Sequence, residues 1–312
     1  MKRSLRWLVA VVAVGALVGA GCGDDDDGGT AGGADCEAAD GSSISIGAQD
    51  FGESAILAEI YKQGLEACGY DVGIQELGGF RPLELPAFES GDINFAPEYV
   101  ASMLEFLNED ESEATADVGD STDLLQGYLD DLELQALEPS EAVDTNSFVV
   151  TSETADDLGL ATLSDLADKG EDLTLGGPSD CPTNPFCLPG LEDVYGLDLS
   201  DNFQSLEAGA IADALDAGAI DIGIIFSTDG RIAERDWVLL EDDQTMLAAD
   251  NVVPVVTAEL ADSLGAEFAD RVNAISAALT TEGLTELNKR FDVDKDDAAD
   301  IARDWLAEHD FV

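Results

Sequence analysis

The chain has 312 residues, 45% of them hydrophobic, and this length suggests two lobes of ordinary domain size. Its 68 acidic residues far outnumber its 13 Lys and Arg, and the formal net charge is −55. Such a charge excludes a nucleic-acid-binding protein that neutralises phosphates, because that function needs clustered Lys and Arg. It also argues against docking of the folded surface on anionic lipid headgroups.

The acidity has two compatible interpretations. One is a solvated shell adapted to salty surroundings, where high ionic strength screens the self-repulsion of the chain. The other is an acidic surface that meets a basic partner or attracts cationic solutes. The acidic residues are spread along the chain, apart from the run Asp24–Asp27, and this spread favours the first interpretation.

An export signal precedes the predicted fold. Lys2, Arg3 and Arg6 form a basic start, and residues 7–18 form an apolar run of secretory length. The run is too short for a comfortable bilayer span. We therefore expect residues 1–21 to be a signal peptide and the mature protein to be exported.

The residues around Cys22 resemble a bacterial lipobox, in which the cysteine becomes the lipid-modified N-terminus. Small residues precede Cys22, although Gly19 stands where the lipobox usually has Leu. Ordinary cleavage after Ala20 is the alternative. Residues 22–41 begin with a Gly- and Asp-rich stretch that has nothing to bury, so we expect a lipidated flexible tether. The protein would then be anchored to the outer face of the cytoplasmic membrane.

The five cysteines fit an oxidising, exported context. Assigning Cys22 to a lipid leaves an even set of four, which favours disulfides. A short Pro-rich loop separates one local pair, and the other pair follows by elimination. A zinc site is the alternative, but the spacings match no common finger and the single histidine is distant, at His309, so we expect no metal and no cofactor. The expected disulfides are Cys181–Cys187 and Cys36–Cys68.

A β-α-β pattern begins at Ile44. Ile44 and Ile46 alternate with polar residues as in a strand, and Asp50 with Glu53 matches a capping box that begins a helix. The next strand follows at residues 72–74. This order predicts parallel pairing of the two strands.

Two stretches 127 residues apart follow one plan. Each has a short helix, a turn with glycine, a strand, and an aromatic residue at the far end of the strand. Gly91 aligns with Gly218, and Tyr99 aligns with Phe226. This weak duplication indicates two α/β lobes built alike. Chance similarity is the alternative, because helix–Gly–strand joints are common.

The remaining predicted elements complete an α/β pattern. They are a helix over 124–134, a strand at 148–150, a helical segment over 158–166, a strand at 173–175, a strand at 252–256, and helices from 259 to 312.

Several blocks occur in an ordered series from about residue 44 to the C-terminus. They are IGAQDFGESAIL (46–57), AFESGDI (87–93), PEY (97–99), LPGL (188–191), VYGL (194–197), TDGRIA (228–233), LEDD (240–243) and PVV (254–256). The series resembles the substrate-binding proteins of glycine betaine/choline/carnitine ABC importers.

The resemblance implies a type II periplasmic-binding-protein fold. In this α/β fold, two lobes joined by a hinge of two crossings enclose a ligand, and the first lobe is discontinuous. The hinge crossings are expected near Asn146–Phe148 and Asp250–Pro254. The implied first lobe is 42–146 with 254–312, and the second is 147–253.

The resemblance also implies a ligand site. Family members surround a quaternary ammonium with aromatic rings, since such a cation is attracted to ring faces. Tyr99, Phe148 and Phe226 stand at ring positions, with the alternative that the two Phe are core residues and Tyr99 a surface ring. The implied polar site residues are Asn146, Ser54 and Ser102.

Asp250 is the main departure, because the family often has Tyr there. Its carboxylate could serve as counter-ion to an ammonium and would repel the carboxylate of a betaine. Choline-like cations are therefore expected over glycine betaine. The alternative is that Asp250 is one more surface acid facing solvent.

The function that follows is capture of a quaternary-amine or betaine-like solute by a monomeric, lipid-anchored protein and its delivery to an ABC importer permease. A surface-anchored sensing or other solute-binding module without a transport role is the alternative. We do not expect an enzyme, because the only histidine lies in the tail and no Ser lies in a nucleophile-elbow pattern.

Overall fold

The computed structural model describes residues 43–109, 113–179, 181–206, 208–235 and 237–312. The predicted signal peptide and tether, with Cys22 and Cys36, lie outside the described residues. Within the described part of the chain, no helix is both long and apolar enough to cross a bilayer.

In chain order the elements are β1 (Ser43–Ala48), α1 (Gly52–Glu66), β2 (Asp71–Glu76), α2 (Arg81–Ser90), β3 (Phe95–Tyr99), α3 (Val100–Leu107), α4 (Val118–Asp130), β4 (Leu134–Ala136), β5 (Asn146–Thr151), α5 (Ser152–Leu158), α6 (Leu163–Lys169), β6 (Leu175–Gly177), α7 (Leu188–Tyr195), a 3-10 turn (Ser200–Asn202), β7 (Phe203–Ser205), α8 (Ala208–Asp216), β8 (Ile222–Phe226), α9 (Gly230–Glu234), β9 (Trp237–Leu239), β10 (Val252–Thr257), α10 (Ala258–Ala278), α11 (Thr281–Asp292) and α12 (Ala298–Glu308).

The strands form two sheets with the same plan. The first has the order β2-β1-β3-β10-β4, and the second has the order β7-β6-β8-β5-β9. In each sheet three strands run parallel, and a fourth, β10 or β5, pairs antiparallel with the central strand. The α/β, two-lobed type II periplasmic-binding-protein fold that the sequence predicted is confirmed.

The predicted duplication corresponds to the central strands β3 and β8. Gly91 and Gly218 both have positive φ, 76° and 64°, and each lies in the turn before its strand. This left-handed conformation suits glycine because it lacks a Cβ. Tyr99 and Phe226 are the last residues of the two strands.

Both faces of each sheet are buried, as expected where helices cover a largely parallel sheet. In β10, Val252 and Val256 face one apolar cluster, whereas Val253 and Val255 face another. In β5, Phe148 and Val150 face one cluster of the second sheet and Val149 faces the other. Alternation of side chains along a strand separates these clusters.

Some sequence-based details were wrong. Asp50 and Glu53 do not form a capping box: α1 begins after Phe51, and no side chain caps it. Glu53 instead contacts distant residues, as described below. The predicted helix over 124–134 extends too far, because the chain turns at Glu133, whose φ is 57°, and Leu134 begins β4.

Two segments connect the sheets, 137–145 (the first connection) and 240–251 (the second connection). They lie side by side: Val143 and Asn251 form an antiparallel bridge, and the Asp144 N–H donates to the Asp250 carbonyl at 3.0 Å. The lobe boundaries stated above remain a prediction.

One predicted disulfide is confirmed. Cys181 and Cys187 are bonded, with Cα atoms 5.2 Å apart, just before α7. Cys68 is also disulfide-bonded, but its predicted partner Cys36 lies outside the described residues.

A glycine allows a close contact between the parts of the chain that carry the two sheets. Gly230 begins α9, and a Cβ at this position would overlap the backbone of Lys289 in α11. The two helices meet here because residue 230 has no side chain.

We expect Gly230→Ala to force α9 away from α11 and to lower the free energy of unfolding by about 1–3 kcal/mol, the usual cost of overpacking. The matched control is Gly127→Ala in α4, where nothing lies within 4 Å of an added Cβ. That change should stabilise the helix by roughly 0.5–1 kcal/mol. Denaturant unfolding of both variants measures the difference, and equal stabilities would contradict the contact.

Candidate ligand-binding site

Buried polar residues gather where the central strands of both sheets end. In α/β sheets, ligands bind beyond the carboxyl ends of strands, because the loops there leave backbone and side chains free to meet a ligand. Here β1 leads into Gln49 and the first turn of α1, and β3 ends at Tyr99. In the second sheet, β8 leads into Thr228.

Glu53 joins these elements. Its carboxylate accepts a hydrogen bond from the Tyr99 hydroxyl at 2.6 Å and one from the Thr228 hydroxyl at 2.7 Å. Asn288 in α11 donates its side-chain N–H to the same carboxylate and to the Thr228 carbonyl, the latter at 3.0 Å. Burial raises the pKa of Glu53 above its usual value, and the three hydrogen bonds act in the opposite direction. The carboxylate therefore bridges parts of the chain that belong to different sheets.

Asp250 is buried, so the interpretation in which it faces solvent is wrong. Its carboxylate accepts hydrogen bonds from the Ser102 backbone N–H at 2.9 Å and from the Ser102 hydroxyl at 2.5 Å. Burial raises the pKa of Asp250 to about 6, opposed by the Ser102 bonds and the charge of Arg81. Two residues that the sequence assigned to the site are thus in direct contact.

Arg81 is engaged by another carboxylate. Its guanidinium donates to Glu98 Oε2 through Nε at 3.0 Å and through Nη2 at 2.7 Å. Gln49 donates to Glu98 at 2.7 Å and to Glu84 at 2.9 Å. Burial, followed by the charge of Glu98, holds the pKa of Glu84 well above its usual range. Because Glu98 pairs with Arg81, the positive charge of Arg81 is already largely neutralised in the ligand-free protein.

Asp144, in the first connection, is a further buried acid and was not predicted from the sequence. Its side chain accepts a hydrogen bond from the Thr228 backbone N–H at 3.3 Å. Burial and then the charge of Glu53 hold its pKa well above the usual range, and the charge of Asp250 adds to this. We refer to Glu53, Asp144 and Asp250 as the acidic cluster.

Aromatic rings lie beside this cluster. The Phe51 and Tyr99 ring centres are 6.2 Å apart, and the Phe51 and Phe80 rings stack with centres 6.1 Å apart. Phe80 is 56% exposed, so the stack reaches solvent. Sequence reasoning missed Phe51 and Phe80. Their position just after the carboxyl ends of β1 and β2 is the signal that could have identified them.

The other predicted site residues are placed differently. Phe148 is fully buried in an apolar cluster of the second sheet, whereas Phe226 is 53% exposed. Asn146 pairs with Phe226 across the β5–β8 ladder. The Ser54 hydroxyl accepts the Gln49 N–H at 2.9 Å and so closes the turn into α1. No ring contact of the described residues joins Tyr99, Phe148 and Phe226, and the three-ring cage stays a prediction.

The chemistry of this region suits a small cation. It offers ring faces, buried carboxylates and hydroxyl groups. Among the described residues, no group of three or more His, Cys, Asp or Glu side chains is arranged to hold a metal ion.

Comparisons with known proteins agree with this chemistry. Residues 42–308 match the family model described as the substrate binding domain of ABC-type glycine betaine transport system. A glycine-betaine-binding protein of Pseudomonas aeruginosa is 28% identical over 282 residues, covering 85% of this chain and 88% of the relative. The glycine betaine-binding protein YehZ of Escherichia coli is 25% identical over 281 residues, covering 85% and 90%.

A solved structure shows the same fold. The crystal structure of a glycine betaine/carnitine/choline ABC transporter protein superposes with a TM-score of 0.75 at 24% identity, covering 86% of this chain and 99% of that chain. The family-model match spans most of the chain and includes every site residue described above. The chain belongs to the family of substrate-binding domains of ABC-type glycine betaine transport systems, which are solute-binding proteins and not enzymes.

Proposed function

We propose that this protein is an extracytoplasmic solute-binding lipoprotein that captures a quaternary-amine or betaine-like solute between its two lobes and delivers it to an ABC importer. The proposed lobes are 42–146 with 254–312 and 147–253, the proposed partner is the permease, and the proposed state is a monomer. The observation that carries the proposal is the acidic cluster beside the Tyr99 ring. A cation is attracted both to the buried carboxylates and to the face of the ring.

The relatives narrow the class of solute. The Pseudomonas aeruginosa and Escherichia coli proteins are named for glycine betaine, and a Listeria monocytogenes relative is named for carnitine. Glycine betaine and carnitine carry a trimethylammonium group, which supports a quaternary amine as the group recognised here. The charge of the site supports a further distinction, because buried carboxylates penalise the carboxylate of a zwitterion. We therefore propose a choline-like cation over glycine betaine.

The predicted site residues have unequal support. Tyr99, Ser102 and Asp250 have described contacts within the buried polar network, and Asn146, Phe148, Phe226 and Ser54 are proposed on the family resemblance. Phe51 and Phe80 are added because their rings continue from Tyr99 towards solvent.

A thermal-shift panel at high salt tests the proposed function. Choline, glycine betaine, carnitine, proline betaine and ectoine are tested separately. A ligand at 100 times its Kd should stabilise the folded state by about 2.7 kcal/mol. Choline should give the largest shift at equal concentration, and no shift with any of the five would contradict the proposal.

Tyr99→Ala should weaken binding of the best ligand by about 0.5–2 kcal/mol, because it removes one ring face from the cation. The control is Phe106→Ala, which removes an exposed ring of α3 outside the network described above. Calorimetric titration of both variants decides the prediction. Equal losses in the two variants would show that Tyr99 has no special role.

Cys22→Ser should release the protein from membranes, because it removes the site of lipid attachment. Ligand affinity should not change, since the tether lies outside the family match at 42–308. Membrane fractionation and mass spectrometry of the N-terminus test this. A soluble wild-type protein that begins at Gly21 would contradict lipid anchoring.

A further inference from the structure

We propose that Asp144, and not Asp250, is the carboxylate that receives the positive charge of the solute and selects cations over zwitterions. This inference rests on the proposed function, because it names the charge that the same site recognises.

The position of Asp144 is fixed by the backbone on either side. It lies in the first connection two residues before β5, and its N–H donates to the Asp250 carbonyl at 3.0 Å. The neighbouring Val143 bridges Asn251. The carboxylate is thus held where the two connections run side by side, between the elements that contribute Glu53 and those that contribute Thr228. A ligand enclosed by both lobes would meet this position.

Asp144 has less hydrogen bonding than the other acids of the cluster. Glu53 accepts hydrogen bonds from three side chains, and Asp250 accepts two from Ser102. Asp144 interacts with Thr228. It accepts the Thr228 N–H at 3.3 Å, beyond the usual 2.7–3.2 Å range for such bonds, and it shares the Thr228 hydroxyl with Glu53, to which that hydroxyl donates at 2.7 Å. It is nevertheless only 8% exposed. A buried carboxylate with weak hydrogen bonding is the one that gains most from a ligand cation.

The charges around Asp144 are of its own sign. The charges of Glu53 and Asp250 both raise its pKa, and its own charge raises the pKa of the Tyr99 phenol. No ion pair of the described residues includes Asp144. Asp250, by contrast, is stabilised by the charge of Arg81 as well as by Ser102. Among the described residues, Asp144 and Glu53 both lack a cationic partner, and Asp144 has the weaker hydrogen bonding of the two.

The Tyr99 phenol connects this charge to the expected ammonium site. The Tyr99 hydroxyl donates a hydrogen bond to Glu53, and the negative charge of Asp144 raises the pKa of the Tyr99 phenol. A cation seated against the Tyr99 ring is attracted by both the ring face and the carboxylate. The ligand class is thus a small organic cation without a carboxylate, such as an N-alkylated amino alcohol.

The test uses isosteric variants and a neutral ligand analogue. Asp144→Asn is compared with Asp250→Asn. Each is titrated with choline, with glycine betaine and with 3,3-dimethylbutan-1-ol, which has the shape of choline but no charge. The readout is the ratio of the dissociation constants of the neutral alcohol and choline, which reports recognition of charge separately from recognition of shape.

We expect Asp144→Asn to lower that ratio on the order of tenfold or more, because it removes the charge partner of a partly desolvated cation. Glycine betaine affinity should stay the same or improve. Asp250→Asn should change the ratio on the order of threefold or less, because Ser102 and Arg81 already stabilise that carboxylate.

The melting temperature of ligand-free Asp144→Asn separates charge recognition from a structural role. Because the pKa of Asp144 is raised on folding, its ionisation destabilises the folded state at neutral pH. The ligand-free variant should therefore melt at the same or a higher temperature while binding choline less tightly. A purely structural residue would lose stability and affinity together.

Two results would overturn the inference. One is an unchanged ratio in Asp144→Asn, which includes an equal loss of choline and alcohol affinity. The other is a larger loss of the ratio in Asp250→Asn than in Asp144→Asn. If the wild-type protein bound no member of the solute panel, the proposed function itself would fail, and the inference with it. Binding of choline by wild type with an unchanged ratio in Asp144→Asn would refute the inference alone.

Discussion

Burial of carboxylates without an equal number of cations is the constraint on which this structure depends. Removing a charged group from water costs free energy unless hydrogen bonds or opposite charges compensate. Glu53, Asp144 and Asp250 are all buried, and Arg81 is already engaged by Glu98. Folding alone does not favour this arrangement, since the pKa of each acid in the cluster is raised. Such destabilised groups cluster at functional sites, and they are the basis on which we propose a positively charged ligand.

The two sheets of similar plan bring these acidic residues close together. The ends of the central strands β3 and β8 both lie close to Glu53, and the two connections run side by side. Glu53 then reaches Tyr99 from the first sheet and Thr228 from beyond the second, while Gly230 allows α9 to approach α11. A ligand that compensates the acidic cluster therefore stabilises contacts between the two lobes at the same time. The free-energy cost of burying these carboxylates therefore depends on the contacts between the two lobes.

Local sequence signals predicted the fold well but the site only in part. The β-α-β order, the glycine turns before β3 and β8, and the Cys181–Cys187 disulfide depend on residues close in sequence. Glu53 was misinterpreted because it fits a local capping pattern, while its partner Asn288 is 235 residues away. The burial of Phe148 in an apolar cluster could not be predicted from alternation, because Phe148, Val149 and Val150 are all apolar. Asp144 was missed because nothing in a chain with 68 acidic residues distinguishes one that becomes buried.

The central claim is that the ligand cation is met by buried carboxylates whose pKa values are raised in the free protein. Calorimetric titration of choline near pH 6, in two buffers with different ionisation enthalpies, measures the protons exchanged on binding. A cation lowers the pKa of neighbouring carboxyl groups, and burial raises the pKa of Asp144 well above its usual range and that of Asp250 to about 6. The account predicts net proton release, reduced in Asp144→Asn. Choline binding with no proton exchange, or with proton uptake, would contradict it.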